Sequence, residues 1–539
     1  MNKALLISLL SLLLPLRLQA STLLDNAAAT IVIYNMNDPE SKGLADFYCA
    51  ARGIDPAKEI PLAAPTSEEI SRNDYDICIA GPIREMMVER GYWMTTKDIQ
   101  GNDLLVMSRI HYAVLVRGVP LKIAECTNYP GDNLALQPPP YGNCTAASVD
   151  SELSILGLFS RQVSGAMKNP LCINKLDSAH DANPLVPLTQ IPPQMLLVGR
   201  LDGPSVESVK AMVNNGLKAE KEGLWGWGYT DMRSITTPGF ILGDQFVKKA
   251  GEVMRKNGIP VINDDLPETF PSGFPITDAA AYFGWYTENI DGPFRDPAFH
   301  FLPGAFAAHL HSYSATTLRD PLRGWTAPLI VHGASASVGN VYEPYLVFTT
   351  DFGTLEEKLL SGCNLAESYY AAQPVLSWMS ILVGDPLYRP YATLSSAGTG
   401  TAPLSVWQEY RQIIMAHHGD VLKSAHDLGD AASSSKESLY LEALGAAQED
   451  AGELPAAGAS FRDAAKFEKN PNIQFRLLLE QARVLEKRGK LDKGMALLMQ
   501  ESKNYENPAQ KALLTDWIIR MNPVKPTPTP QPTGQKAAH

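Results

Sequence analysis

Cysteine is scarce in this sequence, with six among 539 residues, and none form the Cys-x-x-Cys spacing of structural zinc sites and thiol oxidoreductases. Cys126 and Cys144 bracket a Pro/Gly-rich loop that a disulfide could close in an oxidising compartment. Cys49 and Cys78 sit in apolar, element-like segments and read as small buried hydrophobes. Basic residues are also few: 46 Lys and Arg stand against 58 Asp and Glu, a formal net charge of −12. With no basic stripe to neutralise phosphates, nucleic acid is excluded as a partner. Beyond the N-terminus no apolar run reaches the ~20 residues that a membrane-spanning helix needs. No metal centre and no cofactor is called for.

The 45% hydrophobic and 19% charged residues are those of a folded globular chain, and the length implies two or three domains. Lys3, the apolar run Ala4–Leu16 and the small-residue end Leu18-Gln19-Ala20 before Ser21 form the pattern of a signal peptide over residues 1–20. The expectation is therefore a secreted or periplasmic protein with no membrane span after cleavage; the alternative is an uncleaved N-terminal anchor.

From Thr30 onward, short apolar runs alternate with helical patterns. Thr30–Tyr34, Asp76–Ala80, Tyr112–Arg117, Met195–Gly199, Ile259–Ile262, Ala279–Phe283, Ala305–Leu310, Pro328–Val331 and Ile381–Val383 read as strands. Ser41–Arg52, with Ser41 as cap, and Val206–Glu222 read as helices. The alternation predicts an α/β domain over residues 25–394, built on a mainly parallel sheet. Residues 395–405 form a small-residue linker, and 406–522 are helical throughout. Within that region Leu441, Leu444, Glu449, Gly452 and Leu454 are echoed 37 positions later by Leu478, Gln481, Glu486, Gly489 and Leu491. This is the style of an all-α tetratricopeptide-like module, with a plain helical bundle as the alternative. Residues 523–539 read as a disordered Pro-rich tail.

Three polar stretches follow predicted strands: Asn35-Met36-Asn37-Asp38, Tyr282 to Asn289, and His309-Leu310-His311-Ser312-Tyr313-Ser314. Ligand crevices of open α/β sheets lie outside the carboxyl ends of the strands, so all three are candidates. Leu197-Val198-Gly199-Arg200-Leu201, the helix carrying Glu207 and Lys218, and Trp225 resemble a signature of the gingipain-type cysteine peptidases. That resemblance implies a caspase-like fold. It continues through Tyr282–Trp285, Pro303–Ser312, His332-Gly333-Ala334-Ser335-Ala336 and Gly384-Asp385-Pro386, covering residues 195–390. More closely, YNMNDPES, VRGVPLKI, HLHSYSA and GNVYEPYL resemble a secreted bacterial family that tends to occur in species with exosortase protein-sorting systems. That likeness implies an envelope context and brings no established activity.

The departures from the peptidases matter most. Where they carry the histidine this chain has Trp285, whose indole cannot serve as a base. Where they carry the cysteine it has His311-Ser312. The dyad of thiolate and imidazole is missing, so cysteine-peptidase activity is not expected. If Ala305–His311 is a strand, His309 and His311 face the same side. Ser312 or Ser314 then becomes a nucleophile only with an imidazole within ~3 Å and an acid such as Asp291, Glu288 or Asp38 to orient it. The same groups could hold a metal, or simply brace the strand ends. The expected crevice comprises Asn35, Asn37, Asp38, Trp285, Glu288, Asp291, Ser314 and Glu343. Two functions follow. One is an envelope protein that uses a degenerate hydrolase crevice and its helical module to bind a protein or polymer partner. The other is a divergent hydrolase of envelope material, working through Ser312 with His309 or His311.

Overall fold

The computed structural model describes residues 23–99, 101, 103–126, 144–158, 165–172, 191–394 and 403–522. Residues 1–20, 127–143, 395–402 and 523–539, to which the expected signal peptide, Pro/Gly-rich loop, linker and Pro-rich tail are assigned, lie outside the described residues. Ten strands form the main sheet: β1 Thr30–Asn35, β2 Glu59–Leu62, β3 Tyr112–Val116, β4 Leu197–Leu201, β5 Trp227–Asp231, β6 Val261–Asp264, β7 Ala279–Trp285, β8 Phe306–Leu310, β9 Ala336–Asn340 and β10 Ser380–Gly384. Their order across the sheet is β6-β5-β7-β8-β9-β10-β4-β3-β1-β2. Neighbours run parallel from β6 to β9 and from β4 to β2, and β10 is antiparallel to β9. Every residue of β3, β4, β7, β8 and β9 is buried, as helices on both faces of a parallel sheet require.

Both halves of the sheet open their C-terminal strand ends on one side. Arg319, in the loop after β8, pairs with Asp202 after β4, and Glu68, beyond β2, accepts bonds from Thr317 Oγ1 (2.5 Å) and Leu318 N (2.7 Å). Asp385, past the end of β10, lies on the opposite side, where it receives Tyr48 OH (2.7 Å) and Arg52 from the helix Ser41–Arg52. Arg200 is wholly buried and braces the strand ends, pairing with Asp150 and Asp202 and donating to the carbonyls of Val119 and Pro120.

Several local expectations are corrected. Asp76–Ala80 is not a strand. Ser71 and Asp74 cap each other's backbone in a capping box, and the chain runs helically from Arg72 through a wide turn at Asp76–Ala80 into Gly81–Glu89. Cys78 is accordingly half-buried, whereas Cys49 is buried. Pro328–Val331 belongs to the helix Thr326–Val331. Ser41 is the first helical residue rather than the cap. Its Oγ accepts from Asn35 N (3.0 Å), and the Asp38 carboxylate receives the N–H groups of Glu40 and Ser41. Strands β2 and β5 lack the alternation that would have marked them. Cys126 and Cys144 are free thiols, and Thr145 clamps the backbone of Cys126 through its hydroxyl.

Seven helices follow the linker: Val406–Ala416, Ala425–Ser435, Leu439–Asp450, Leu454–Phe467, Pro471–Lys487, Leu491–Glu501 and Pro508–Met521. Gly452 and Gly489 turn between helices with left-handed backbone (φ 77° and 68°). The region seals the β6 edge of the sheet. Arg483 donates to Asn263 O (2.8 Å), Arg476 to Tyr229 OH (3.0 Å) and Thr277 Oγ1 (2.8 Å), and Trp407 packs edge-on against Trp227. Among the described residues no helix is long and apolar enough to cross a membrane.

Candidate functional site

Strands β7 and β8 lie side by side with Gly284 opposite His309 and Trp285 opposite Leu310. Gly284 has no side chain because Tyr282 OH and His309 Nδ1 occupy the space a Cβ would need. His309 is buried, with its imidazole stacked on Trp325 at 3.6 Å between ring centroids. Thr287 N–H donates to Nε2 (3.1 Å), which makes Nε2 the unprotonated nitrogen. Nδ1–H then donates to Tyr282 Oη (2.9 Å), and the Tyr282 hydroxyl donates to Asp231 Oδ2 (3.0 Å). Burial above all, helped by His311 and Arg233, holds His309 well below the usual histidine range. Burial, with Asp264 alongside, pushes the Asp231 carboxyl well up. Both nitrogens of His309 and the Tyr282 hydroxyl are thus engaged within the protein, while the buried Asp231 Oδ1 has no hydrogen-bond partner among the described residues.

The imidazole fixes the loop above it. Thr287 O accepts from Trp325 Nε1 (2.7 Å), Thr287 Oγ1 from Arg233 (2.6 Å), and Asn289 Oδ1 from Gly324 N (2.9 Å). Trp285 is pinned from the helix Ile241–Lys256, where Asp244 Oδ1 accepts its Nε1–H at 2.7 Å and Gly243 leaves room for the indole. Above this floor opens a crevice of about 710 Å³, within the size range of small-ligand sites. Trp285, His311, Ser312, Glu288 and Glu343 line it, together with Phe240, Tyr286, Tyr313, Tyr345, Asn289 and Arg323. A second cavity of about 790 Å³ shares Glu288, Asn289 and Arg323 with it and continues toward His300 and His332.

The expected catalytic groups are not assembled. Strand β8 ends at Leu310, so His309 stays in the core while His311 leaves with the exit loop, its Nδ1 turned onto the Ser312 carbonyl (2.5 Å). Ser312 faces the crevice, yet no hydrogen bond joins its Oγ to an imidazole among the described residues. Ser314 is buried, with Oγ accepting from Asn340 N (3.0 Å), and is a strut. No group of three or more His, Cys, Asp and Glu residues is arranged to hold a metal among the described residues.

The expected crevice is also only partly one place. Trp285, Glu288 and Glu343 share it. Asn35, Asn37 and Asp38 lie five strands away in the sheet order, about 24 Å at ~4.8 Å per step. Asn35 is fully buried there and ties the carbonyls of Ala64, Pro65 and Gly118; Asn37 joins at Ala64 O (2.9 Å). These bonds brace strand ends. Asp291, before the turn Gly292–Arg295, is not part of the crevice wall.

Two of the candidate stretches carry the aromatic rim, Tyr286 in 282–289 and Tyr313 in 309–314, and the aromatics around 282–286 suit sugar or peptide stacking as readily as core packing. Sequence reasoning does not single out Tyr345. Tyr286, Tyr313 and Tyr345 have φ of 69°, 60° and 60°, making them three of the eight non-glycine residues with left-handed backbone among those described. Bulky side chains rarely adopt that conformation, and such outliers cluster at functional sites. No residue pattern announces the left-handed backbone. No family model matches the chain, and no curated protein or solved structure matches it either.

Proposed function

We propose that this is a secreted or periplasmic envelope protein that binds a protein or polymer partner in the crevice above β7 and β8 without cleaving it. One observation carries the reading. The buried imidazole of His309 beside the crevice has both nitrogens engaged, by Thr287 N–H and the Tyr282 phenol Oη, and His311 turns its Nδ1 onto the Ser312 carbonyl, so among the described residues no imidazole is hydrogen-bonded to a hydroxyl nucleophile. Trp285 and His311-Ser312 sit at the adjacent strand ends where the resembled peptidases carry histidine and cysteine. A caspase-like ancestry for β4 to β10, with its dyad replaced, accounts for this. The rigid loop Tyr286–Asn289 suits a preorganised binding wall.

The helical region is read as a tetratricopeptide-like partner platform. Its support is a set of ion pairs 34 residues apart, Glu442–Arg476, Glu449–Arg483 and Glu486–Arg520, a spacing equal to the usual repeat. The face carrying Arg476 and Arg483 is occupied by the α/β domain, so a partner would use the remaining surface. The signal-like N-terminus supports export. Incubation of the full-length protein with a fluorophosphonate and with iodoacetamide, followed by peptide mapping, tests the non-catalytic reading. No fluorophosphonate adduct is expected at Ser312 or Ser314, and stoichiometric labelling of Ser312 overturns it.

A further inference from the structure

We propose that the crevice recognises an oligosaccharide, with the tyrosine faces as stacking platforms. This rests on the binding reading above and adds the class of ligand. Tyr286 and Tyr313 are 43% and 47% exposed although both belong to a folded wall. Each is held in left-handed backbone by bonds to neighbouring strand ends, Tyr286 N to Leu310 O (2.9 Å) and Tyr313 N to Tyr342 O (3.0 Å). Phe240 meets Tyr286 edge-on at 5.2 Å and fixes its ring. Strain is thus maintained to present flat apolar rings to solvent. The apolar C–H face of a pyranose packs on such a ring. The planar side chains of Glu288, Asn289, Arg323 and Glu343 around them suit paired hydrogen bonds to vicinal hydroxyls.

A peptide fits this wall poorly. Extended peptides bind by adding to a free strand edge, and the crevice lies at the ends of central strands. Many of its backbone groups are already engaged. Thr287 N and O, Tyr286 O, His311 O, Ser312 O and Pro344 O all have partners within the protein. Recognition is left to rings and polar side-chain tips, and the adjoining cavity lets a chain of sugars continue past Glu288 and Arg323.

The test is affinity electrophoresis of the full-length protein in gels containing soluble β-glucan, galactomannan or alginate, alongside an array of immobilised peptides. Retardation by at least one polysaccharide is expected. Tyr286→Gly and Tyr313→Gly should each weaken it about tenfold, while thermal melting stays level or rises, since glycine relaxes the left-handed backbone. Tyr286→Phe should keep the binding. If only peptides bind, and do so through Tyr286 and Tyr313, the sugar assignment is overturned and the binding reading stands. If neither class binds, or a polysaccharide is shortened, both are overturned.

Discussion

Two buried titratable side chains give the protein opposite responses to pH. Glu356 lies wholly in the core with Tyr391 O–H on Oε1 (2.6 Å), and burial pushes its carboxyl up to about 7. A raised acid holds its proton in the folded state after the unfolded chain has released it, so its contribution is present below the unfolded pKa and lost as pH rises toward 7. Glu356→Gln keeps an acceptor for Tyr391 and removes the ionisation. Its stability relative to the parent should grow by roughly 3 kcal/mol between pH 4.5 and 7.5 in denaturant titrations, and a difference that does not change with pH counts against this. His309 acts the other way. Its neutral form is the folded one, so stability is present above pH ~6.5 and falls with acidification. The chemistry of these residues was legible only by type. His309 stood out as a histidine at a strand end, but whether its nitrogens faced substrate or Thr287 and Tyr282 depended on two other segments.

Elements followed the text of the sequence where burial was uniform and departed from it where a local signal competed. TIVIY and YAVLV became central strands because continuous apolar runs suit a sheet covered on both faces. DICIA has the same look, yet the capping box Ser71-x-x-Asp74 starts a helix upstream that carries through it, and TAPLIV carries Pro328, which cannot donate to a strand ladder but is tolerated in a first helical turn, and forms a helix. The helix Ile241–Lys256 shows packing overruling propensity. Alanine ordinarily gains about 1 kcal/mol over glycine in a helix interior, and Gly429→Ala, with open space around its Cβ, should raise stability by about that much. Gly243→Ala should lower it by about 1–3 kcal/mol, because the methyl lands on the Trp285 ring and loosens the Trp285–Asp244 bond. Differential scanning fluorimetry of the two variants checks the contrast; equal shifts of the same sign would contradict it.

At the scale of the molecule, the class was readable and the assembly was not. The βα rhythm announced a mainly parallel sheet and the loss of strands after residue 405 announced a helical region. Nothing local told that the second would close the β6 edge of the first. The contacts that do so, Arg476 to Tyr229 and Thr277, and Arg483 to Asn263, join residues more than 190 positions apart, beyond any periodic pattern. Arg476 is fully buried against Glu442, so Arg476→Ala leaves a carboxylate unpaired in the interior. It should cost about 3–5 kcal/mol, read as a lower melting temperature with the helical region released first in hydrogen exchange. An unchanged melt would mean that this seam holds nothing.

The last strand to be synthesised, Ser380–Gly384, is inserted between β9 and β4. Ile381, Leu382 and Val383 are completely buried there. The growing chain therefore carries two unfinished half-sheets until its final strand arrives, wedge-like, to lock them together. A chain truncated before residue 380 lacks the strand that joins the two half-sheets.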